Sequence, residues 1–189
     1  MVSPLWLYTG LIALVGLERL FELRLSARNA QWAFARGGRE AGREHYPVMA
    51  AFHASFLAAC VAEPWLLDRP FVPVLGFAAL TVAVLTQALR YWVIATLGPR
   101  WNTRVIVLPG WAPVTAGPYR FLKHPNYLAV VLELLALPLV HSAWLTALVF
   151  SLANLALLRV RIRVEEAALG EPYARAFGAA RAAAADPDQ

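Results

Sequence analysis

The chain has 189 residues, 60% of them apolar and only 15% charged, with a formal net charge of +5. This balance argues against a water-soluble globule and predicts a membrane protein whose arginines lie beside lipid headgroups, so nucleic-acid binding is not expected. The single cysteine, Cys60, lies in an apolar run, which excludes an intrachain disulfide and a thiolate metal cluster. We expect one multi-pass domain over residues 1–189.

Five apolar segments are predicted to cross the membrane as helices, because about 20 helical residues span the hydrocarbon core of ~30 Å. The last two meet at His141-Ser142 with almost no link, which predicts a tight helical hairpin. The expected fold class is an all-α integral membrane protein of about five transmembrane helices. In chain order the segments are 4–23, 46–67, 71–97, 125–140 and 142–160.

Lysine and arginine are concentrated on one side of these segments. They are frequent in 24–45, in 98–124 and after residue 159, whereas the opposite side shows only Arg69 beside Asp68. The positive-inside rule predicts that the basic stretches face the cytoplasm. We therefore expect the N-terminus outside and the C-terminus inside the inner membrane of the cell.

The stretch 98–124 is long for a link and too apolar for disorder, which favours a functional role. Its β-branched run, 105–108, is followed by Pro109-Gly110 and predicts a short strand or an extended ledge with a turn. After it, Pro125 fits the first position of the fourth helix. The N–H groups of that helix start provide a seat for an anion, and His124 and Tyr127 can border the same pocket.

Ionisable and amide side chains inside the predicted helices are costly in lipid and count as functional candidates. The spacing of Arg19 and Glu22 also fits an ion pair that holds helices together, so both interpretations stay open for the first helix. Arg90 lies deeper in its segment, and there we favour function. The full set is Glu18, Arg19, Glu22, Gln87, Arg90 and Glu133.

Beyond the fifth segment, Arg161 and Arg163 stand at helical contact spacing from Glu165 and Glu166. This fits a solvated charged face, and it also fits carboxylates that bind the ribose hydroxyls or the amino group of a cofactor. The histidines show no metal-binding spacing, and glycine-rich nucleotide fingerprints are missing from the sequence. We expect no metal and no soluble Rossmann-type enzyme.

Taken in order over residues 87–177, these patterns resemble the isoprenylcysteine carboxyl methyltransferase family, which are integral membrane enzymes that use S-adenosylmethionine. Each motif is short, and their combination makes the resemblance specific. The residues that carry it are Trp92, Leu97-Gly98, Trp101, Gly117-Pro118-Tyr119-Arg120, Lys123-His124-Pro125-Asn126-Tyr127, Arg163-x-Glu165-Glu166, Leu169 and Tyr173.

The resemblance implies a methyltransferase whose cofactor, S-adenosyl-L-methionine, lies between the His-Pro-Asn-Tyr region and the Glu-Glu helix on the cytoplasmic side. The implied cofactor-binding residues are Tyr119, His124, Pro125, Asn126, Tyr127, Glu165 and Glu166. Arg90, Arg104 and Arg120 are candidates to orient an acceptor anion for catalysis. Ala129 and the stretch 170–173 depart from the usual family pattern, which affects the expected tail contacts and not the core signature.

The pattern from Glu18 to Asn29, with Glu133 and Pro138, resembles a bacterial branch associated with type III polyketide synthases, which O-methylates alkylpyrones or phenolic lipids. The expected partners are membrane lipids and a lipidic small-molecule acceptor, either an isoprenylcysteine-like carboxylate or an alkylpyrone or phenolic-lipid enol. Such a transfer needs alignment and exclusion of water more than a strong base. The alternatives are a phospholipid N-methyltransferase, a sterol-type NADPH reductase and, as non-enzymes, a small transporter or a structural membrane subunit.

Overall fold

The computed structural model describes residues 3–185 and the side chains of residues 3–178. Four of its helices are long and apolar enough to cross a membrane, and a fifth is a shorter apolar helix. The predicted all-α integral membrane fold is therefore confirmed. The helices are α1 (Pro4–Phe34), α2 (Tyr46–Leu66), α3 (Pro73–Leu97), α4 (Pro125–Leu139) and α5 (Trp144–Ala185).

Two helices extend well past their predicted ends. The first, α1, has 31 residues, a length of about 46 Å at 1.5 Å per residue. It is therefore longer than the hydrocarbon core of the membrane is thick. The last, α5, continues through its arginines and glutamates and bends at Gly170, where φ is 65° and ψ is −159°, two residues before Pro172. The predicted ends are set by the thickness of the membrane. A helix can continue beyond the membrane as long as its backbone N–H and C=O groups stay hydrogen-bonded to each other.

One end of the bundle carries the loops and most of the basic residues, and we call it the basic end. Here α1 and α3 end while α2 and α4 begin. A two-stranded antiparallel sheet covers this end, with β1 (Arg39–Ala41) paired to β2 (Val105–Val107). The strand predicted in 105–108 is confirmed, whereas the charged sequence of β1 has no strand pattern and its pairing was not predicted.

The opposite end contains the hairpin between α4 and α5. Only residues 140–143 separate the two helices, which confirms the predicted tight link. Ser142 adopts a positive φ of 57° there. His141 is buried in the turn between the rings of Tyr8 and Phe71.

The core lies between all five helices, with α4 packed against α3 on one side and α5 on the other. Cys60 is fully buried in it, as expected for a small apolar side chain. Large apolar residues also cover the outer faces, as a lipid-facing surface requires. The buried core residues are Tyr8, Ile12, Phe56, Cys60, Ala79, Val130, Leu134, Leu137 and Val140.

Candidate active site

A short 3-10 helix at Gly117–Arg120 brings the loop against α3. Gly117 has a φ of +56°, and a Cβ on it would lie 2.4 Å from Oγ1 of Thr96 on α3. Only glycine permits both this backbone conformation and this approach. The turn holds Tyr119 beside Glu165, and burial together with that carboxylate raises the pKa of Tyr119, so its hydroxyl stays a neutral hydrogen-bond donor.

The start of α4 follows the prediction, with Pro125 in its first position after His124. The N–H groups of Tyr127 and Leu128 both donate to the carbonyl of His124, at 3.1 and 3.2 Å. Among the described backbone bonds, this leaves the N–H of Asn126 as the available donor of the first turn. The predicted anion-binding site at this helix start therefore has one available backbone donor, the N–H of Asn126.

The paired carboxylates of α5 face the start of α4. Oε1 of Glu166 lies 2.8 Å from Nε2 of His124 and 2.7 Å from Nζ of Lys123. The hydroxyl of Tyr127 donates a hydrogen bond to Glu165. The structure thus brings together the two halves of the predicted site, whose side chains are about 40 residues apart in the sequence.

Arg161 lies at the centre of this arrangement. Its Nε donates to the hydroxyl of Tyr127 at 3.0 Å, and its terminal nitrogens contact the carbonyl of Thr103 and the sulfur of Met49. Every one of these partners is neutral. Among the described side chains no carboxylate lies within ion-pair distance of Arg161, so its positive charge is available to a ligand.

Three adjoining cavities lie around this arrangement, and Arg161 lines two of them. The largest, which we call the loop cleft, has a volume of about 670 Å³, within the ~300–1,000 Å³ typical of small-molecule sites. It lies between β2, the following loop and α5, with apolar walls from Leu97, Ile106 and Leu169 and polar groups from Tyr119 and Glu165. A polar molecule with an apolar ring suits this lining.

A small junction pocket of about 90 Å³ adjoins the loop cleft and shares Tyr119 and Glu165 with it. On its other side begins the interhelical cavity, of about 220 Å³, which lies between the helices and has a mainly apolar lining. The wall common to the junction pocket and the interhelical cavity consists of Trp101, Asn102, Asn126, Tyr127 and Arg161.

Polar atoms in this common wall lack partners. Nδ2 of Asn102, Oδ1 of Asn126 and Nε1 of Trp101 are buried and form no hydrogen bond among the described residues. A buried polar group without a partner costs about 1–3 kcal/mol, so these atoms would gain from a hydrogen bond to a ligand or a bound water. The common wall therefore carries unused hydrogen-bonding groups on residues that line both cavities.

The predicted polar residues inside the helices form one cluster at the inner end of the interhelical cavity. Arg19 lies 2.6 Å from Glu22, and Arg90 forms an ion pair with Glu133 and lies 3.8 Å from Glu22. Gln87 and Glu18 complete the network. Both guanidinium groups are matched by carboxylates, so the cluster holds α1, α3 and α4 together while Arg19, Glu22 and Arg90 also line the cavity.

The three predicted acceptor-orienting arginines lie in different places. Arg90 lines the interhelical cavity, as described above. Arg104 lines the junction pocket and lies 3.6 Å from Glu40 of β1. Arg120 is exposed, stacks near the ring of Phe121 and lies outside the three cavities. Of the predicted set, the structure brings Arg90 and Arg104 to the cavities.

Several residues at the cavities were not among the predicted site residues, including Arg100, Asn102, His53 and Arg161. The sequence marks Arg161 only as a helical neighbour of Glu165, and Asn102 and His53 belong to no functional motif. For Arg161 the signal was available, since a basic residue one turn from a functional carboxylate shares its face. For Asn102 and His53 no local pattern distinguishes them, because they reach the cavity through the packing of distant elements.

Comparison with known proteins supports the same region of the chain. The profile of the isoprenylcysteine carboxyl methyltransferase (ICMT) family matches residues 78–171, from α3 to the bend of α5. The uncharacterized protein YpbQ of Bacillus subtilis (strain 168) is 41% identical over 162 residues, which cover 85% of this chain and 95% of that protein. The chain belongs to the isoprenylcysteine carboxyl methyltransferase family.

A second relative of the chain is an uncharacterized protein of Haemophilus influenzae (strain ATCC 51907 / DSM 11121 / KW20 / Rd). It is 28% identical over 158 residues, which cover 82% of this chain and 90% of that protein. No solved structure matches the chain. Family membership implies a membrane methyltransferase, and it confirms the resemblance inferred from the motifs around His124 and Glu165. It does not distinguish one acceptor from another.

Proposed function

We propose that the protein is an S-adenosylmethionine-dependent O-methyltransferase that acts on a lipidic acceptor at the cytoplasmic face of the cell membrane. The observation that carries the proposal is the junction pocket, whose walls belong both to a cleft among the loops that combines apolar walls with charged and polar groups and to a mainly apolar cavity among the helices. A polar methyl donor and an apolar acceptor can thus approach one point from different solvents.

The residues of the cleft fit this cofactor by their chemistry. Glu165 accepts a hydrogen bond from Tyr127 and has lone pairs left for ribose hydroxyls or an amino group. Asn126 offers both its N–H and an unpartnered Oδ1, and Arg100 supplies a cation for a carboxylate. Leu97 and Leu169 provide apolar surface for a purine ring.

When bound, the cofactor would supply a methyl group on a sulfonium for in-line transfer to an oxygen nucleophile, with a neutral thioether as the leaving group. The chain provides alignment and charge. Arg161 reaches the junction pocket without a carboxylate partner, so it can hold an oxygen that carries negative charge at the point of transfer. Tyr127 donates to Glu165 and accepts from Arg161, and these bonds fix its ring between the two cavities.

The acceptor class follows from the lining of the interhelical cavity. Apolar side chains from α1, α2 and α5, including Leu23, Leu57 and Leu158, surround its body. A long apolar chain would lie among them and extend into the bilayer. An isoprenylcysteine-like carboxylate and an alkylpyrone or phenolic-lipid enol both have such a chain with an oxygen at one end, and we propose that the acceptor belongs to this group.

Calorimetric titration of S-adenosylmethionine into the detergent-purified protein tests the cofactor site. We expect saturable binding that Glu165→Ala and His124→Ala both weaken. Glu171→Ala is the matched control, because its carboxylate lies on the same helix but is 81% exposed. No binding by the unaltered protein would contradict the proposed function, and unchanged binding in both site variants would contradict the site.

Identification of the acceptor requires the membrane. Membranes incubated with a methyl-labelled cofactor should yield a labelled lipid whose mass identifies the methylated oxygen. Loss of that product in Glu165→Ala, with retention in Glu171→Ala, would attribute it to this protein. A product methylated on an amine nitrogen instead of an oxygen would contradict the proposal and would indicate an N-methyltransferase.

The orientation is tested by accessibility. Single cysteines placed at Arg36 and Arg175, in a chain with Cys60→Ala, should react with a membrane-impermeant thiol reagent only after the cytoplasmic side is opened. Both positions belong to the basic end of the bundle. Labelling of either one in intact cells would reverse the proposed orientation.

A further inference from the structure

We propose that His53 accepts the proton of a neutral hydroxyl group on the acceptor, which makes the interhelical cavity a site for hydroxyl-bearing ring heads. The inference rests on the proposed function and refines its acceptor class. It assigns a role to a histidine on α2, outside the motif region.

The position of His53 is the first observation. It lines the interhelical cavity together with Tyr127 and Arg161 of the common wall. Met49, one turn earlier on α2, contacts the guanidinium of Arg161 through its sulfur. Since Nδ1 of His53 lies 2.9 Å from the carbonyl of Met49, the imidazole leans back along α2 toward the basic end of the bundle, where α2 begins.

The hydrogen bond to Met49 also determines the tautomer. A carbonyl oxygen can only accept, so Nδ1 of His53 must carry the hydrogen. In the neutral ring this leaves Nε2 as a lone-pair acceptor. Among the described residues Nε2 forms no hydrogen bond, so it is available to a donor in the cavity. A histidine held in this way is a suitable general base for a hydroxyl.

The surrounding charges favour a neutral acceptor over an anion at this depth. The guanidinium groups of Arg19 and Arg90 face His53 from α1 and α3, and each is matched by a carboxylate, Glu22 on α1 or Glu133 on α4. Arg161 on α5 is the cation that lacks such a partner, and Tyr46 adds a neutral hydroxyl. Because these two guanidinium groups are already paired, an incoming carboxylate would find an unpaired positive charge only at Arg161 among the described residues that line this cavity.

The step balances without a further reactant. The acceptor O–H bond breaks and its proton passes to Nε2 of His53. The oxygen electron pair forms the new bond to the methyl carbon, and the carbon–sulfur bond breaks with its electrons retained by sulfur. One positive charge disappears from the sulfonium as one appears on the imidazolium. The total charge at the site is therefore unchanged, which avoids the cost of separating charge.

The test compares two acceptors with similar apolar tails in detergent-purified protein. A long-chain 5-alkylresorcinol has hydroxyls that are neutral near pH 7, because phenols titrate at about 10, whereas N-acetyl-S-farnesylcysteine is already an anion. We expect His53→Gln to lower kcat about 100-fold or more for the resorcinol, the usual contribution of a general base, and to lower kcat much less for the carboxylate. His45→Gln is the control, because His45 is exposed near Glu44.

Two measurements separate proton transfer from packing. Equilibrium binding of the labelled resorcinol, without cofactor, should be retained in His53→Gln. The fall of kcat for the resorcinol at low pH should be present in the unaltered protein and absent from the variant. An equal loss on both acceptors, or a loss on neither, would overturn the role of His53.

The outcomes also distinguish this inference from the proposed function. An unaltered protein that methylates the carboxylate and not the resorcinol would overturn the inference and leave the methyltransferase proposal standing. An unaltered protein that neither binds S-adenosylmethionine nor methylates either acceptor would overturn the proposed function, and this inference with it.

Discussion

Two clusters of charged residues lie at the ends of the interhelical cavity, and they differ in how their charges are matched. At the inner end, Arg19 and Arg90 are each held by carboxylates of neighbouring helices. At the junction pocket, Glu165 is held by a tyrosine hydroxyl and Arg161 by neutral groups. In the first cluster each guanidinium is paired with a carboxylate of the chain, whereas the second leaves a carboxylate and a guanidinium without an ionic partner among the described residues.

The difference indicates which of the costly polar groups in a membrane bundle serve packing and which serve binding. A buried ion pair stabilises mainly by avoiding an uncompensated charge, so a matched cluster does not require a ligand. A charge that meets only neutral partners can still gain from an ionic or polar ligand. Each of the following predictions tests this distinction with a different substitution.

The largest effect is expected in the inner cluster. Glu133→Gln would leave Arg90 without its main carboxylate, and breaking a buried pair costs about 3–5 kcal/mol. Denaturant unfolding in detergent should show this loss, and the double variant with Arg90→Met should recover much of it. A stable Glu133→Gln protein with lost methylation would instead assign the inner cluster to catalysis.

The next effect is expected at Glu165. Glu165→Gln keeps the shape of the side chain but removes its charge, and charge-assisted hydrogen bonds contribute about 1.5–3 kcal/mol, or roughly 10- to 150-fold in Kd for S-adenosylmethionine. Glu166→Gln should weaken binding less, because the carboxylate of Glu166 already bonds His124 and Lys123. Titration calorimetry measures both, and the reverse order would contradict the assignment of Glu165 as the ligand group.

A smaller effect is expected where the loop meets α3. Gly117→Ala and Gly110→Ala both place a side chain at positive φ, at a cost of about 1–2 kcal/mol each. Only the Cβ at 117 would also meet Thr96, since nothing lies within 4 Å at 110. Unfolding and cofactor titration should therefore show the greater loss for Gly117→Ala. Equal losses would mean that contact with α3 does not position Tyr119.

The smallest effect is expected for Lys123→Gln. Its amino group pairs with Glu166, but the two side chains are 35% and 37% exposed, and exposed ion pairs contribute less than about 1 kcal/mol. Stability should change within that limit, and the change should shrink further in high salt. A loss comparable to that of Glu165→Gln would place Lys123 among the cofactor ligands.

Much of the fold could be predicted because its signals are local. Apolar runs of membrane length mark helices, Pro125 marks the start of α4, and the short link at His141 marks the hairpin. The site could be predicted less completely. The resemblance pointed to His124, Tyr127, Glu165 and their neighbours, which the structure brings together, whereas Arg120 lies outside the cavities.

The sequence by itself determined the solvent, the order of helices and the family, since composition, periodicity and short motifs are properties of neighbouring residues. Only the tertiary structure decided which charges are matched. Arg161 contacts Tyr127 and not Glu165, β1 pairs with β2, and His53 meets the common wall from α2. These contacts join residues far apart in the chain, and helix packing, which no local pattern specifies, selects them.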